Sequence, residues 1–378
     1  MTKNKGPRRD IGRLDQIDGL RAVAILWVAL YHYAVFWAPS GKGLNLLPYG
    51  DALAHLPLAN VGFLGVHLFF IVSGFVITFS LERSKGMSHF SLLRAIRLWP
   101  ALLICGTITF LLTTSLGPAS LVRSPLEYLL SLTFVPPAHI GRLLGQPGLE
   151  WLDGAYWSLW TEVRFYIIAA SMFFLARSRF QPPSWSRFLV IWTGFAIASA
   201  FIHLWGMAFG GASNALSRLL FAQYQPYFSA GIALAILRTG KERTGAMGLL
   251  VFTVLQAFAY PLLQAGSLLI AEWVGLSIVF LLAIVATQAR RSLPILSWRA
   301  VVVVGQASYA YYLLHQNSGL ALLAGFANDT DLSPIVLMIA IQILLLVGAM
   351  LLTFYVETPL RLTLRRTASL RSRFAEKL

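Results

Sequence analysis

Acidic residues are scarce in this chain: Asp and Glu number 15 in 378 residues, against 30 Lys and Arg. Charged residues of both signs make up only 12%, where a soluble domain carries roughly 25%. With 57% hydrophobic residues and a mean hydropathy of +0.69, the chain cannot cover a water-facing surface with polar groups. A soluble globular fold is therefore excluded, and the bilayer is the expected solvent. Cysteine is nearly absent. The single Cys105 lies in an apolar run, which excludes an intrachain disulfide framework and gives no metal-ligand cluster. A linker rich in Gly/Ser or Pro, a low-complexity tract and an internal repeat are all missing. One helical membrane bundle can thus use the whole chain, with residues 1–360 as the membrane domain and 361–378 as a basic tail. The missing repeat weakens a transporter reading, because many transporter folds are built from repeats. The basic N-terminus leads into an apolar segment, as a signal peptide would. That segment continues through Trp27, His32 and Trp37 without a small-residue cleavage site, so it reads as a retained first helix.

What the chain does have is long apolar runs. A spanning helix needs about 20 mostly apolar residues. Ten stretches qualify: 19–38, 59–81, 98–116, 155–176, 187–209, 217–237, 245–263, 267–288, 300–323 and 334–356. The fold class expected is an all-α polytopic bundle. The net charge of +15 would suit a nucleic-acid partner if it formed one surface. It does not, because Lys and Arg cluster in short stretches between the apolar runs. With the N-terminus inside, 25 of the 30 basic residues are cytoplasmic, and only Lys42, Arg123, Arg142, Arg164 and Arg218 lie outside or within spans. This is a strong positive-inside asymmetry, and it places both termini in the cytoplasm. Segment 124–136 is apolar but short, contains Glu127 and ends in Pro136-Pro137. Making it a full span would invert every later loop. It reads instead as an interfacial or re-entrant piece of a long outer loop, 117–154, opposite a second outer loop at 39–58.

Ionisable groups inside spans are expensive and default to functional hypotheses. Arg21 and His32 lie on the first span. Eleven positions at about 100° each return them to nearly the same face, roughly 16 Å apart along the axis. They cannot touch but can line one cavity, with Arg21 at the cytoplasmic mouth and His32 in the outer half. Arg21 also reads as a snorkelling anchor, and His32 as an interhelical hydrogen bond. On the fourth span Ser158, Glu162 and Tyr166 share a face at i, i+4 and i+8, beside Trp157 and Trp160. Glu162 lies near the depth of His32, or pairs with a basic group on a neighbouring helix. The tryptophans fit an interface belt as well as a substrate platform. Ser308, Tyr312 and His315 share a face of the ninth span, and the second span carries His67 and Ser73-Gly74. His67 reads chiefly as a core hydrogen bond, and Gly62, Gly65 and Gly74 as sites of close helix packing. Arg94 and Arg97, at i and i+3 before Trp99-Pro100, could join Arg21 in binding a polyanion, or serve as ordinary positive-inside charge.

These residues together resemble the acyltransferase family three membrane proteins. Members O-acetylate or O-acylate sugars on polysaccharides, lipopolysaccharide, Nod factors and some antibiotics. Asp18-Gly19-Leu20-Arg21-Ala22 through Tyr31-His32 resembles the family's opening motif, and Gly65 to Phe75 its glycine–phenylalanine–serine–glycine segment. Arg94–Arg97 with Pro100 resembles its paired-arginine motif, and Trp157-Ser158-Leu159 with Glu162, Phe165 and Tyr166 its tryptophan–serine–glutamate motif. Ser308-Tyr309, Tyr312-Leu313 and His315 look like its late motif, and Glu357-Thr358-Pro359 with Arg361 like its closing motif. His67 stands where the family is variable. The esterase-like domain of longer members is not expected here, so transfer is expected within the membrane domain or through a separate partner.

The resemblance implies a bacterial cytoplasmic (inner) membrane enzyme with acetyl-CoA or another acyl-CoA as donor substrate, no permanently bound cofactor and a carbohydrate acceptor. Membrane lipids surround it, and partner acyl-carrier or glycan-assembly proteins are compatible with it. Arg21, Arg94 and Arg97 would hold the CoA phosphates, with the pantetheine arm reaching toward His32. His32 would act as general base, at an ordinary imidazole pKa of about 6.5, or as a transient acyl carrier. Glu162 would orient the imidazole or bind acceptor hydroxyls. Tyr312 and His315 would donate to the oxyanion or position the sugar, and Trp157, Ser158, Tyr166, Ser308 and Ser73 would line the substrate path. The competing reading is a transporter or flippase for a lipid-linked saccharide, which explains an arginine cluster beneath a histidine less well. The charge split makes a direct prediction. Reporters placed in loop 117–154 and in loop 177–187 should report opposite sides of the membrane, and finding both on one side would overturn the topology.

Overall fold

The computed structural model describes residues 15–176, 184–265, 270–289 and 293–375. Among them the chain forms helices and connecting turns, with no strand. The expected cytoplasmic residues Lys3 to Arg13, Arg177, Arg179, Arg290, Arg291 and Lys377 lie outside this description. In chain order the helices are α1 Asp15–Tyr31, α2 Leu64–Arg83, α3 Met87–Leu116, α4 Pro125–Ser131 and α5 Pro137–Leu143. There follow α6 Trp157–Leu175, α7 Trp185–Phe209, α8 Gly211–Leu219, α9 Gln225–Thr239 and α10 Arg243–Ala265. The last five are α11 Ile270–Gln288, α12 Arg299–Leu314, α13 Asn317–Phe326, α14 Pro334–Leu351 and α15 Thr358–Ala375.

Eight helical stretches among the described residues are long and apolar enough to cross a membrane, so this is an integral membrane protein. Two of the ten expected spans depart from that form. The stretch 217–237 is divided by a turn at Phe221, whose φ is positive. The helix beyond it, α9, has 15 residues and buries every one from Gln225 to Ile236. It is an interior helix, packed on all sides. The stretch 300–323 breaks after His315. Gln316 leaves helical geometry (φ −86°, ψ −84°), dividing it into α12 of 16 residues and α13 of 10. Segment 124–136 contains only the seven-residue α4, too short to span. Its start is fixed by a capping box: the Ser124 hydroxyl accepts from the Glu127 N–H, and the Glu127 carboxylate accepts from the Ser124 N–H at 2.8 Å.

Non-helical backbone within a membrane bundle is tolerated where it is buried in protein or lines a cavity. The α12–α13 break meets that demand from three directions. The Tyr33 hydroxyl lies 2.7 Å from the His315 carbonyl and 3.0 Å from the Gln316 carbonyl, donating to this pair. Gln342 on α14 adds its amide at 3.4 Å from the His315 carbonyl. The Asp153 carboxylate accepts the Asn317 N–H at 2.8 Å, and the Asn317 side chain donates to the Leu152 carbonyl at 3.0 Å.

Small residues bring the central helices together. A Cβ on Gly305 of α12 would run into the Asp18 backbone of α1, and one on Gly65 of α2 into the Ala24 backbone of α1. Gly74 of α2 and Gly231 of α9 face each other in the same way. α1 is thereby held between α2 and α12 at backbone contact, as small-residue membrane interfaces allow. At its end α1 widens into a π turn, His32–Phe36, and α14 does the same over Leu352–Glu357. Such turns recur at functional sites. α3 starts earlier than its apolar run, so Arg94 and Arg97 lie inside a 30-residue helix. The Gly305 contact gives a test. Gly305→Ala should lower the melting temperature of detergent-purified protein by several degrees, as overpacking of about 1–3 kcal/mol requires. Gly348→Ala, where nothing opposes a new Cβ, should leave it unchanged. Equal effects from the two would refute the close-packing account.

Candidate active site

The π turn at the end of α1 presents two neighbouring residues to the α12–α13 break. Tyr33 reaches its carbonyls, and His32 reaches its histidine: His32 Nδ1 lies 3.1 Å from His315 Nε2. His315 is wholly buried, and its Nδ1 lies 2.8 Å from the Tyr312 carbonyl. A carbonyl only accepts, so His315 Nδ1 carries the proton and His315 Nε2, in the neutral ring, is an acceptor. His32 Nδ1 must then donate to it. In neutral His32 the remaining lone pair is on Nε2. The chain of contacts Tyr312 carbonyl, His315, His32 therefore fixes one tautomer and one ring orientation for His32.

Two cavities meet near this pair. The larger, about 840 Å³, is lined by His32 and by aromatic side chains including Trp37, Trp151, Trp157, Tyr224 and Tyr227. Amides of Gln223, Gln264, Gln316 and Asn317 face it as well. His67 lies on its wall, edge-on to Tyr227 with ring centroids 4.3 Å apart. The smaller cavity, about 60 Å³, is lined by Arg21 and Arg97 together with Ser73, Glu162, Ser158, Ser308 and Tyr309. Val66 and Tyr312 line both and form the partition between them. The Tyr312 hydroxyl donates to the Ala155 carbonyl at 2.7 Å and lies 2.7 Å from the Ser158 hydroxyl.

At the arginine end, Arg21 Nη1 is 3.9 Å from Asp18 Oδ1. Glu357, the last residue of the second π turn, pairs with Arg361 at 3.6 Å and lies within electrostatic reach of Arg97 and Arg21. Arg94 stands behind this cavity, over the rings of Phe90 and Tyr166 at 5.6 and 5.9 Å. Glu162 accepts from the Ser73 hydroxyl at 2.6 Å and from the Tyr166 hydroxyl.

The acyltransferase domain model of the Acyl_transf_3 family matches residues 14–357. The chain belongs to this family. Curated relatives include the peptidoglycan O-acetyltransferase OatA of Listeria monocytogenes, 26% identical over 79% of this chain and 48% of its own length. Acyltransferase MdmB of Streptomyces mycarofaciens is 28% identical over 80% of this chain and 78% of its own. Nodulation protein 10 of Rhizobium leguminosarum bv. viciae is 29% identical over 41% and 43%. The chain spans about half the length of the peptidoglycan O-acetyltransferases that it matches. No solved structure matches it.

The structure assigns the acyltransferase motif residues to different places than their spacing suggests. Arg21 and Arg97 line one cavity as expected, but Arg94 does not reach it. Glu162 is expected to orient the His32 imidazole or bind acceptor hydroxyls; its carboxylate accepts from Ser73 and Tyr166 in the arginine-side cavity, and the ring in contact with His32 is that of His315. His315 is not free to hold an oxyanion or a sugar, since both its nitrogens are engaged and it lines neither cavity. Tyr312 directs its hydroxyl to Ala155 and serves as partition. Trp157 lines the larger cavity, with its ring 5.0 Å from Tyr224. Ser73, Ser158 and Ser308 line the smaller one, and Tyr166 supports Glu162 behind it.

Sequence reasoning missed Tyr33, Gln342, Asn317 and Asp153. The available signal was Gln316-Asn317, two amides in mid-span, which mark a break. Asp153 is wholly buried at the start of the segment leading into α6. Burial pushes its carboxyl up to about 6, against the N–H bonds of Asn317 and Ala155 and the charge of Arg123, which pull the other way. If His315 orients His32, His315→Ala should lower acyl-transfer kcat by about 10²-fold, the scale of a misplaced catalytic group. The KM for donor should stay near wild type, and unchanged kcat in folded His315→Ala protein would remove the orienting role.

Proposed function

We propose that the protein transfers an acyl group, most simply acetyl, from cytoplasmic acyl-CoA to a sugar hydroxyl of a cell-surface or exported glycan, in the bacterial inner membrane. The carrying observation is the His32 ring. It has a fixed tautomer, lines a large aromatic cavity, and stands one partition away from a narrow cavity that ends in Arg21 and Arg97. The relatives named for peptidoglycan O-acetylation and acyl transfer support the reaction class.

The sugar enters the larger cavity, where aromatic faces stack on its rings and the amides meet its hydroxyls. His32 Nε2 takes the proton of the acceptor hydroxyl as its oxygen attacks the thioester carbonyl. The C–S bond then breaks, and the departing thiolate receives the proton from the imidazolium. The donor's phosphates sit against Arg21 and Arg97 by charge-assisted bonds, and its thin pantetheine arm follows the smaller cavity past Ser73 and Glu162 to Tyr312. The narrowness of that route keeps bulk water from the thioester. Arg94 acts from behind, by adding positive charge. The flippase reading draws no support from the family.

The direct experiment incubates purified protein with radiolabelled acetyl-CoA and a glycan acceptor and follows label into the glycan. Arg97→Ala should raise the KM for acyl-CoA by about tenfold or more, the loss expected for one charge-assisted bond of ~1.5–3 kcal/mol, with kcat largely kept. No acceptor-dependent transfer from any acyl-CoA would defeat the proposal. Unchanged KM in folded Arg97→Ala protein would return Arg97 to a topological role.

A further inference from the structure

Asp153 has no part in the mechanism above, yet it is wholly buried and both its carboxylate oxygens are used. Oδ1 accepts the Ala155 N–H at 2.8 Å, and Oδ2 accepts the Asn317 N–H at 2.8 Å. The first bond lies within the segment that leads into α6. The second reaches the first residue of α13, immediately beyond the break. Capping a helix start does not need a charge, since Ser, Thr or Asn supplies the one acceptor required. A buried carboxylate is costly unless fully paired. What Asp alone provides, at this side-chain length, is two acceptor oxygens facing two N–H groups that belong to different segments. Asn would turn an amide N–H₂ toward one of them.

The joined segments meet at further points. The Asn317 amide donates to the Leu152 carbonyl at 3.0 Å, the Tyr156 hydroxyl to the Leu313 carbonyl at 3.2 Å, and the Tyr312 hydroxyl to the Ala155 carbonyl at 2.7 Å. Residues 312 to 317 are therefore tied down at both ends to residues 152 to 156. Between those ends lie Gln316 and His315, and the His315 ring bonds back to the Tyr312 carbonyl on one side and to His32 on the other.

We propose that Asp153 is a positioning residue for acyl transfer: by bridging Ala155 and Asn317 it fixes the segment that holds Tyr312 and His315, and through His315 it fixes the orientation of His32. The inference rests on the acyltransferase reading and extends it to a residue outside the motif positions. Asp153 touches neither the donor nor the acceptor, so its loss acts on kcat and not on donor binding.

The test is a double-mutant cycle in the full chain, with acetyl-CoA as donor and monodisperse elution plus acetyl-CoA binding as the check of fold. Asp153→Asn should lower kcat by about 10²-fold while the KM for acetyl-CoA stays within about twofold. Combined with His315→Ala, it should add little to the loss that His315→Ala causes alone, because the two act through one ring. Asp153→Ser, whose single oxygen leaves an acceptor for only one of the Ala155 and Asn317 N–H groups, should reproduce the kcat-only loss and the non-additivity. It keeps the test decisive where Asp153→Asn does not fold. Wild-type kcat in folded Asp153→Asn or Asp153→Ser protein overturns the inference, and so do losses that multiply independently with His315→Ala. Wild-type protein that transfers nothing overturns the acyltransferase reading itself, an outcome distinct from either.

Discussion

A break in one helix at membrane depth organises this protein. The His315 carbonyl and the Asn317 N–H lose their ladder partners at the α12–α13 break, inside the bundle. An unpaired buried backbone group costs several kcal/mol, and neighbouring elements supply the partners. Tyr33 comes from the π turn at the end of α1, Gln342 from α14, and Asp153 from the segment before α6. Four parts of the chain are thereby locked to one point. The same π turn that delivers Tyr33 delivers His32 one residue earlier, and the break delivers His315 to meet it. The place of the His32 imidazole is thus a consequence of how a polar break inside the bundle is satisfied.

This arrangement also explains why the two cavities differ. The larger has aromatic walls and amides, suited to flat sugar faces and hydroxyls. The smaller is narrow, with arginines at one end and hydroxyls and a carboxylate along it, suited to an anionic head with a slender arm. Two substrates reaching a common point from separate cavities need only a thin partition between them, and Val66 and Tyr312 provide it. Close packing of α1 between α2 and α12 through Gly65 and Gly305 holds the two ends of α1, Arg21 and His32, in fixed relation to that partition.

Much of this was legible in the sequence. The low charge content and the apolar runs gave a helical membrane protein. The spacing of Arg21 and His32 read as one common cavity, whereas the structure places them at two cavities that share the Val66 and Tyr312 wall. The glycines of α2 read as packing sites, and they pack. Other features were out of reach for physical reasons. α9 reads as a lipid-facing span because periodicity cannot tell a helix buried on all sides from one in lipid. The partners of Glu162 and His315 depend on which helices are neighbours, which no spacing along one helix reveals. Glu162 and His32 share an expected depth, yet the carboxylate meets Ser73 and Tyr166 while the imidazole meets His315. Asp153 lay hidden because a loop acid with no motif around it looks solvated, and only the fold shows that it is wholly enclosed.

The claim on which the rest turns is that His32 is the base. The measurement that reaches it most directly is single-turnover acyl transfer by His32→Gln protein, alongside its affinity for acyl-CoA. Gln keeps a similar length and a donor for His315, so the bundle should survive, but it cannot take a proton. The account predicts a fall in the transfer step of about 10²–10⁴-fold, the usual contribution of general-base catalysis, with donor affinity unchanged. Transfer near the wild-type rate in folded His32→Gln protein would contradict it and leave His32 as a hydrogen-bonded strut of the helix break.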